Sequence, residues 1–203
     1  MASARKQRTA AVGVTEHGNS AVLVTVAPGG ALLDRRRVDL TQGLTTHPHH
    51  HEGSWAVGRY LNTPGARTLS LADAVALVER VRAAAERGAR EGLEALAGAV
   101  SVPIGRIALR SCPALPRTIE ERILDNRAQT FADSVMYRQA IARAAEERGW
   151  VVHWYERERV ARDAALALGR ADMDAFLLAM GRSVGAPWDA KYKLAAAAAL
   201  ATF

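Results

Sequence analysis

The chain has 203 residues, 49% hydrophobic and 24% charged, with a formal net charge of +6. That length suits one sizeable domain that buries roughly 70% of its unfolded surface, and a lone cysteine, Cys112, excludes an intrachain disulfide. No apolar run approaches the ~20 residues that span a bilayer, and no apolar stretch follows the basic start as a secretory signal requires, so the expectation is a cytoplasmic protein.

Residues 1–9 are expected to be a disordered basic arm and residues 10–203 a single domain. Residues 10–14 alternate small and branched apolar side chains and read as a first strand. The turn cluster His17-Gly18-Asn19-Ser20 leads into a second strand over 21–26, rich in β-branched residues. Pro28-Gly29-Gly30 turns the chain into a third strand from Ala31 that extends toward Val38, which completes an antiparallel meander. Residues 41–68 carry Gly43, Pro48, Gly53, Gly58, Pro64 and Gly65 and read as an irregular loop. Loops of that length in compact domains are often functional.

Ser70-Leu71-Ala72-Asp73 has the form of a capping box and opens a helix that continues to about Ala97, with Leu71, Ala74, Val75, Val78 and Val81 on one face. Residues 104–109 read as a short buried strand closed by Pro113 and Pro116. Thr118-Ile119-Glu120-Glu121 starts a second helix, and Ala128, Phe131, Ala132, Val135, Ala142 and Ala145 suit a long helix ending at Gly149. Residues 150–155 form a fifth strand, with Val152 and Trp154 expected on its core-facing side. Helices follow over 156–169, 172–180 and 191–200. Crossover helices place strands four and five parallel to strand one. The expected fold class is α/β, a mixed five-stranded sheet flanked by helices.

This order resembles the ribonuclease-H-like superfamily over most of the chain, and two short segments resemble its Holliday-junction-resolvase branch. Gly13-Val14-Thr15-Glu16-His17-Gly18 is similar to a first-strand motif in which a catalytic aspartate precedes a glycine turn. Glu16 matches that acid if His17-Gly18 matches the turn. A one-residue slip puts Thr15 there and sends Glu16 to the other face of the sheet. Pro187-Trp188-Asp189-Ala190-Lys191-Tyr192 is similar to a last-helix motif with two aspartates three apart. Asp189 matches the first, and Tyr192 stands where the second belongs.

The resemblance also implies an acid at the end of the fourth strand, where this chain has Arg110. It implies Mg²⁺ or Mn²⁺ as cofactor and nucleic acid as partner, with Glu16 and Asp189 as catalytic and metal-binding residues. Two-metal phosphodiester cleavage needs two ions about 3.5–4 Å apart, and hard cations are gathered by several carboxylate oxygens. Glu16 and Asp189 hold one ion at best, and Arg110 repels it, so the expected site is degenerate. The segments His153-Trp154-Tyr155 and Ala186-Pro187-Trp188 are also similar to segments of bacterial hypothetical proteins.

Other features keep two readings open. His47-Pro48-His49-His50-His51-Glu52 is either a solvated loop with incidental metal affinity or a metal, phosphate or proton-transfer site, with His49 and His51 as candidate ligands. Arg35 and Arg37, on one face of the third strand, either contact phosphates or form a solvated edge. Trp188 either meets substrate at the sheet end or caps the core. Cys112 reads as a small buried hydrophobe. Net positive charge draws polyanions, but here it interleaves with glutamate, as in Glu79-Arg80 and Glu86-Arg87.

Three functions follow as expectations. One is a nucleic-acid-associated module with a degenerate metal site, leaning to no enzymatic activity. The second is an active metal-dependent nuclease that recruits the His47–Glu52 run. The third is an interaction protein that forms a homodimer through alanine-rich helix faces.

Overall fold

The computed structural model describes residues 9–49 and 69–203. Glycines with positive φ form the tight turns of the opening meander. β1 (Ala10–His17) turns at Gly18 (φ 56°) into β2 (Ser20–Val26), which turns at Gly29 and Gly30 (φ 94° and 93°) into β3 (Leu32–Asp39). The Ser70 hydroxyl accepts from the Asp73 backbone N–H and starts α1 (Leu71–Ala99), which crosses over to β4 (Ile104–Arg110). A reciprocal capping box between Thr118 and Glu121 starts α2 (Ile119–Leu124). After it come α3 (Gln129–Glu147), β5 (Val151–Tyr155), α4 (Val160–Leu168), α5 (Met173–Val184) and α6 (Ala190–Leu200).

The five strands form one sheet in the order β3-β2-β1-β4-β5. β1–β2 and β2–β3 are antiparallel, while β1–β4 and β4–β5 are parallel. This is the mixed sheet expected from the element order. Because side chains alternate along a strand, each face builds its own core. Val12, Val14, Leu23, Ile107 and Leu109 pack against α1 and α3. Ala11, Val22, Val24, Val26 and Ala108 pack against α4, α5 and α6.

Two expectations need correction. The segment after Thr118 is two helices and not one, because the Asp125 carboxylate accepts from the backbone N–H groups of Arg127 and Ala128 and turns the chain between α2 and α3. Trp154 shares a face with Val152 as expected, paired with Leu109 of the core, but it is 47% exposed. β5 is an edge strand of the sheet. The alanine-rich faces are used within the chain. Ala195 to Ala199 of α6 are buried on the sheet, and Ala84, Ala85, Ala140 and Ala144 are buried where α1 meets α3. No described helix is long and apolar enough to cross a membrane.

Candidate functional site

β1 and β4 run parallel, so their carboxyl ends meet at one edge of the sheet, and α6 begins there. The Thr15 hydroxyl donates to the Lys191 carbonyl of α6 at 3.1 Å. The fold therefore gathers the ends of β1 and β4 and the start of α6 in one place, where the candidate residues Glu16, Arg110 and Asp189 lie.

Strand alternation then separates them. Thr15, following Ala11 and Gly13, faces α6. Glu16, following Val12 and Val14, faces α3. There Glu16 Oε1 accepts from Arg138 Nε at 2.7 Å, and the two side chains are 10% and 5% exposed. Arg138 also donates to the Ser111 carbonyl at 2.8 Å and the Ser134 hydroxyl at 3.2 Å. Glu16 is thus paired with Arg138 on the α3 face of the sheet, away from the face that α6 and Asp189 share with Thr15. The position on the α6 face belongs to Thr15.

Asp189 is the N-cap of α6. Its carboxylate accepts from the backbone N–H groups of Lys191 at 2.8 Å and Tyr192 at 3.3 Å. Tyr192 is buried and stacks on Trp188, with ring centroids 6.0 Å apart. Arg110 alternates with Ala108 and so lies on the α6 face, paired in register with Tyr155. The Tyr155 hydroxyl donates to the Val14 carbonyl at 3.0 Å, and burial pushes its phenol up to about 12. On the α6 face the donor set is therefore the Asp189 carboxylate and the Thr15 hydroxyl, with Arg110 on the same face at the end of the neighbouring β4. Among the described residues no group of three or more His, Cys, Asp or Glu side chains could hold a metal. Mg²⁺ and Mn²⁺ ask for several convergent carboxylate oxygens, and these residues do not fit them.

The register across the sheet aligns the charged residues that remain. Arg37 pairs with Val22 and Val22 with Thr15, while Arg110 lies two residues beyond Ala108, the partner of Gly13. Arg37, Thr15 and Arg110 therefore lie in one row on the α6 face. Arg37 is exposed and donates to the Ser20 hydroxyl at 3.1 Å.

The other two nucleic-acid candidates have structural roles. Arg35 donates to the carbonyls of Val184 (2.9 Å), Gly185 (3.1 Å), Ala186 (3.1 Å) and Pro187, clasping the loop between α5 and α6. Trp188 donates its indole N–H to the Leu177 carbonyl at 2.8 Å and fills the space left by Gly181, so it joins α5 to α6.

Of the described histidines in the run, His47 is exposed and His49 is buried. His49 is 1% exposed. Its Nδ1 lies 2.7 Å from Asp133 Oδ1, which also accepts from the His49 backbone N–H at 3.1 Å. His47 Nδ1 approaches Asp133 Oδ2 at 3.7 Å. The Tyr137 hydroxyl donates to the Thr46 carbonyl at 2.7 Å. This cluster lies on α3, behind the sheet from α6, so the sheet separates His49 from Asp189. His51 and Glu52 lie outside the described residues. The residues missed from sequence are Asp133 and Arg138. Their signal was present: two charged side chains in a stripe otherwise filled by Ala132, Val135, Met136 and Ala140.

No family model matches the chain, and no curated protein matches it in sequence. Among solved structures it is similar to RuvC of Thermus thermophilus in complex with a Holliday junction substrate, at 15% identity and a TM-score of 0.50, over 95% of this chain and 91% of that one. A second RuvC structure from Thermus thermophilus is similar at 17% identity and a TM-score of 0.44, over 95% and 92% of the two chains. At 15% identity the likeness to the first of these speaks for architecture alone, and with the strand order it identifies the chain's fold as ribonuclease-H-like.

Proposed function

We propose that this is a ribonuclease-H-like domain that associates with nucleic acid through the carboxyl edge of its sheet and does not cleave it. One observation carries the reading. The acid of β1 is turned behind the sheet and bound by Arg138, while Arg110 holds a guanidinium on the face where metal ions would gather. A fixed cation there repels a divalent metal and attracts a phosphate. Arg37 extends the positive row two strands from Thr15, roughly 10 Å at ordinary strand spacing. The similar RuvC structure is a complex with a Holliday junction substrate, which makes branched DNA the first ligand to try.

The test incubates the protein with labelled four-way junction, duplex DNA, single-stranded DNA and RNA, with Mg²⁺ or Mn²⁺, at low and moderate salt. Mobility shift without cleavage is expected. Arg110→Ala and Arg37→Ala should each weaken binding and lower the slope of log affinity against log salt by about 1. Cleavage that disappears in Asp189→Ala would make the site a live nuclease and overturn the reading. Absence of any retardation would overturn it too.

A further inference from the structure

Behind the sheet, between α1, α2 and α3, lies a cavity of about 160 Å³ lined by His49, Arg82, Arg122, Gln139 and Arg143, with Glu86 on its wall. Three arginines face one glutamate, and that glutamate is already engaged by Arg143 at 2.9 Å and by Arg90 at 3.9 Å. Arg122 is steadied through its Nε and Nη2 by the carbonyls of Pro116 (2.8 Å) and Arg117 (3.2 Å).

The second observation is His49. Its Nδ1 is held against Asp133 Oδ1 at 2.7 Å, and the carboxylate also takes the His49 backbone N–H, so the ring is fixed in position and its Nδ1 carries the proton. Its other nitrogen, Nε2, is buried and has no hydrogen-bond partner among the described residues. A buried polar atom without a partner is costly. Here it belongs to a residue that lines the cavity together with Arg82, Arg122 and Arg143.

We propose that this cavity binds a phosphate group, either free phosphate or the terminal phosphate of a nucleic-acid strand, with His49 Nε2 and the arginine walls as its contacts. Guanidinium groups match phosphate oxygens in geometry and charge. One proton shared between Nε2 and a phosphate oxygen satisfies the imidazole whichever partner supplies it. The volume is below the ~300–1,000 Å³ usual for small-molecule pockets, which suits a single phosphate and excludes a whole nucleotide. The site lies on the opposite face of the sheet from Thr15, Arg110 and Asp189, so it stands whether or not that edge binds nucleic acid.

The test is a long-range ¹H–¹⁵N spectrum of protein labelled at histidine ring nitrogens, titrated at constant ionic strength. One arm uses inorganic phosphate, and the other uses a short oligonucleotide with or without a 5′-phosphate. The His49 ring signals are assigned by their loss in His49→Gln. Should that variant not fold, the exposed His47 is replaced in His47→Gln, and the His49 signals are the remaining ring whose shift moves when Asp133→Glu is added. A saturable shift of Nε2 is expected in at least one arm. A shift with inorganic phosphate names the free ion as sufficient, and a shift only with the 5′-phosphorylated strand names the strand end. Arg82→Ala, an exposed position on α1, should weaken the apparent affinity about tenfold while the protein melts as before. No saturable shift in either arm, or one unchanged by Arg82→Ala, overturns the proposal.

Discussion

At the end of β1, one step along the strand decides what a carboxylate does. Glu16 and Thr15 are neighbours in sequence but face opposite cores, and the motif that pointed to Glu16 carried one residue of slack. Periodicity fixes that the strand has two faces. Which face receives which residue depends on what α3 and α6 bring to them. Glu16→Ala is expected to destabilise the protein by about 3 kcal/mol, because it strands a buried guanidinium; the bonds of Arg138 to Ser111 and Ser134 remain and limit the loss. Urea unfolding checks this, and a stability unchanged within about 0.5 kcal/mol would contradict the buried-pair role.

Asp133 gives the second test at this scale. Burial alone pushes its carboxyl up, but the His47 imidazole 3.7 Å away and the hydrogen bonds from His49 outweigh it and hold it below the ordinary carboxylate range. The same contact with Asp133 raises the His47 imidazole. The stability from His47 is therefore present below about pH 6.5 and lost as pH rises through its raised folded value. That from Asp133 is present above the ordinary carboxylate range and lost as pH falls through its depressed one. Asp133→Asn should return the His47 titration, followed by proton NMR, toward the ordinary value and lower stability by about 2–4 kcal/mol. An unmoved His47 titration would show that the pair is not formed in solution.

Among the elements, α6 shows how small residues set distance. Its run of alanines lies flat on the sheet because β1 offers Gly13 beneath it, where any Cβ would overlap the Ala195 carbonyl and crowd the Ala199 amide. Both partners are backbone and cannot turn aside. Gly13→Ala should therefore cost about 3 kcal/mol or more. Gly98→Ala, near the end of α1 with nothing within 4 Å of its Cβ, should stabilise by roughly 0.5–1 kcal/mol. Equilibrium unfolding of the pair separates a steric role from a general cost of substitution, and equal effects would refute the close approach. The meander was legible because turn glycines punctuate it, and α1 because Ser70 and Asp73 mark its start. The break between α2 and α3 was not legible, since it hangs on a side-chain turn at Asp125 inside a pattern that continues as a helix. The exposure of Trp154 was not legible either, because strand alternation says which way a side chain points and not whether a helix covers it.

For the molecule as a whole, strand order followed from element order, because crossover helices leave few ways to place β4 and β5 beside β1. The site did not follow, since its chemistry depends on charges converging from three separated segments. That convergence puts a guanidinium, a hydroxyl and one capping carboxylate on the α6 face, and it makes a prediction about metal. A ligand that binds only the native state stabilises it by about 2.7 kcal/mol at a hundred times its Kd, and in a domain of this size that raises the Tm by roughly 5–10 °C. Millimolar Mg²⁺ or Mn²⁺ should leave the Tm of this protein within about 1 °C of its metal-free value. Combining Thr15→Asp with Arg110→Glu removes the repelling cation and adds two carboxylates beside Asp189 on the same face. That double variant should gain a Mn²⁺-dependent rise in Tm, and further Asp189→Asn should abolish it. A rise in the unaltered protein would mean that other residues supply the missing oxygens. A double variant that folds but ignores Mn²⁺ would mean that Thr15, Arg110 and Asp189 do not converge as the strand register places them.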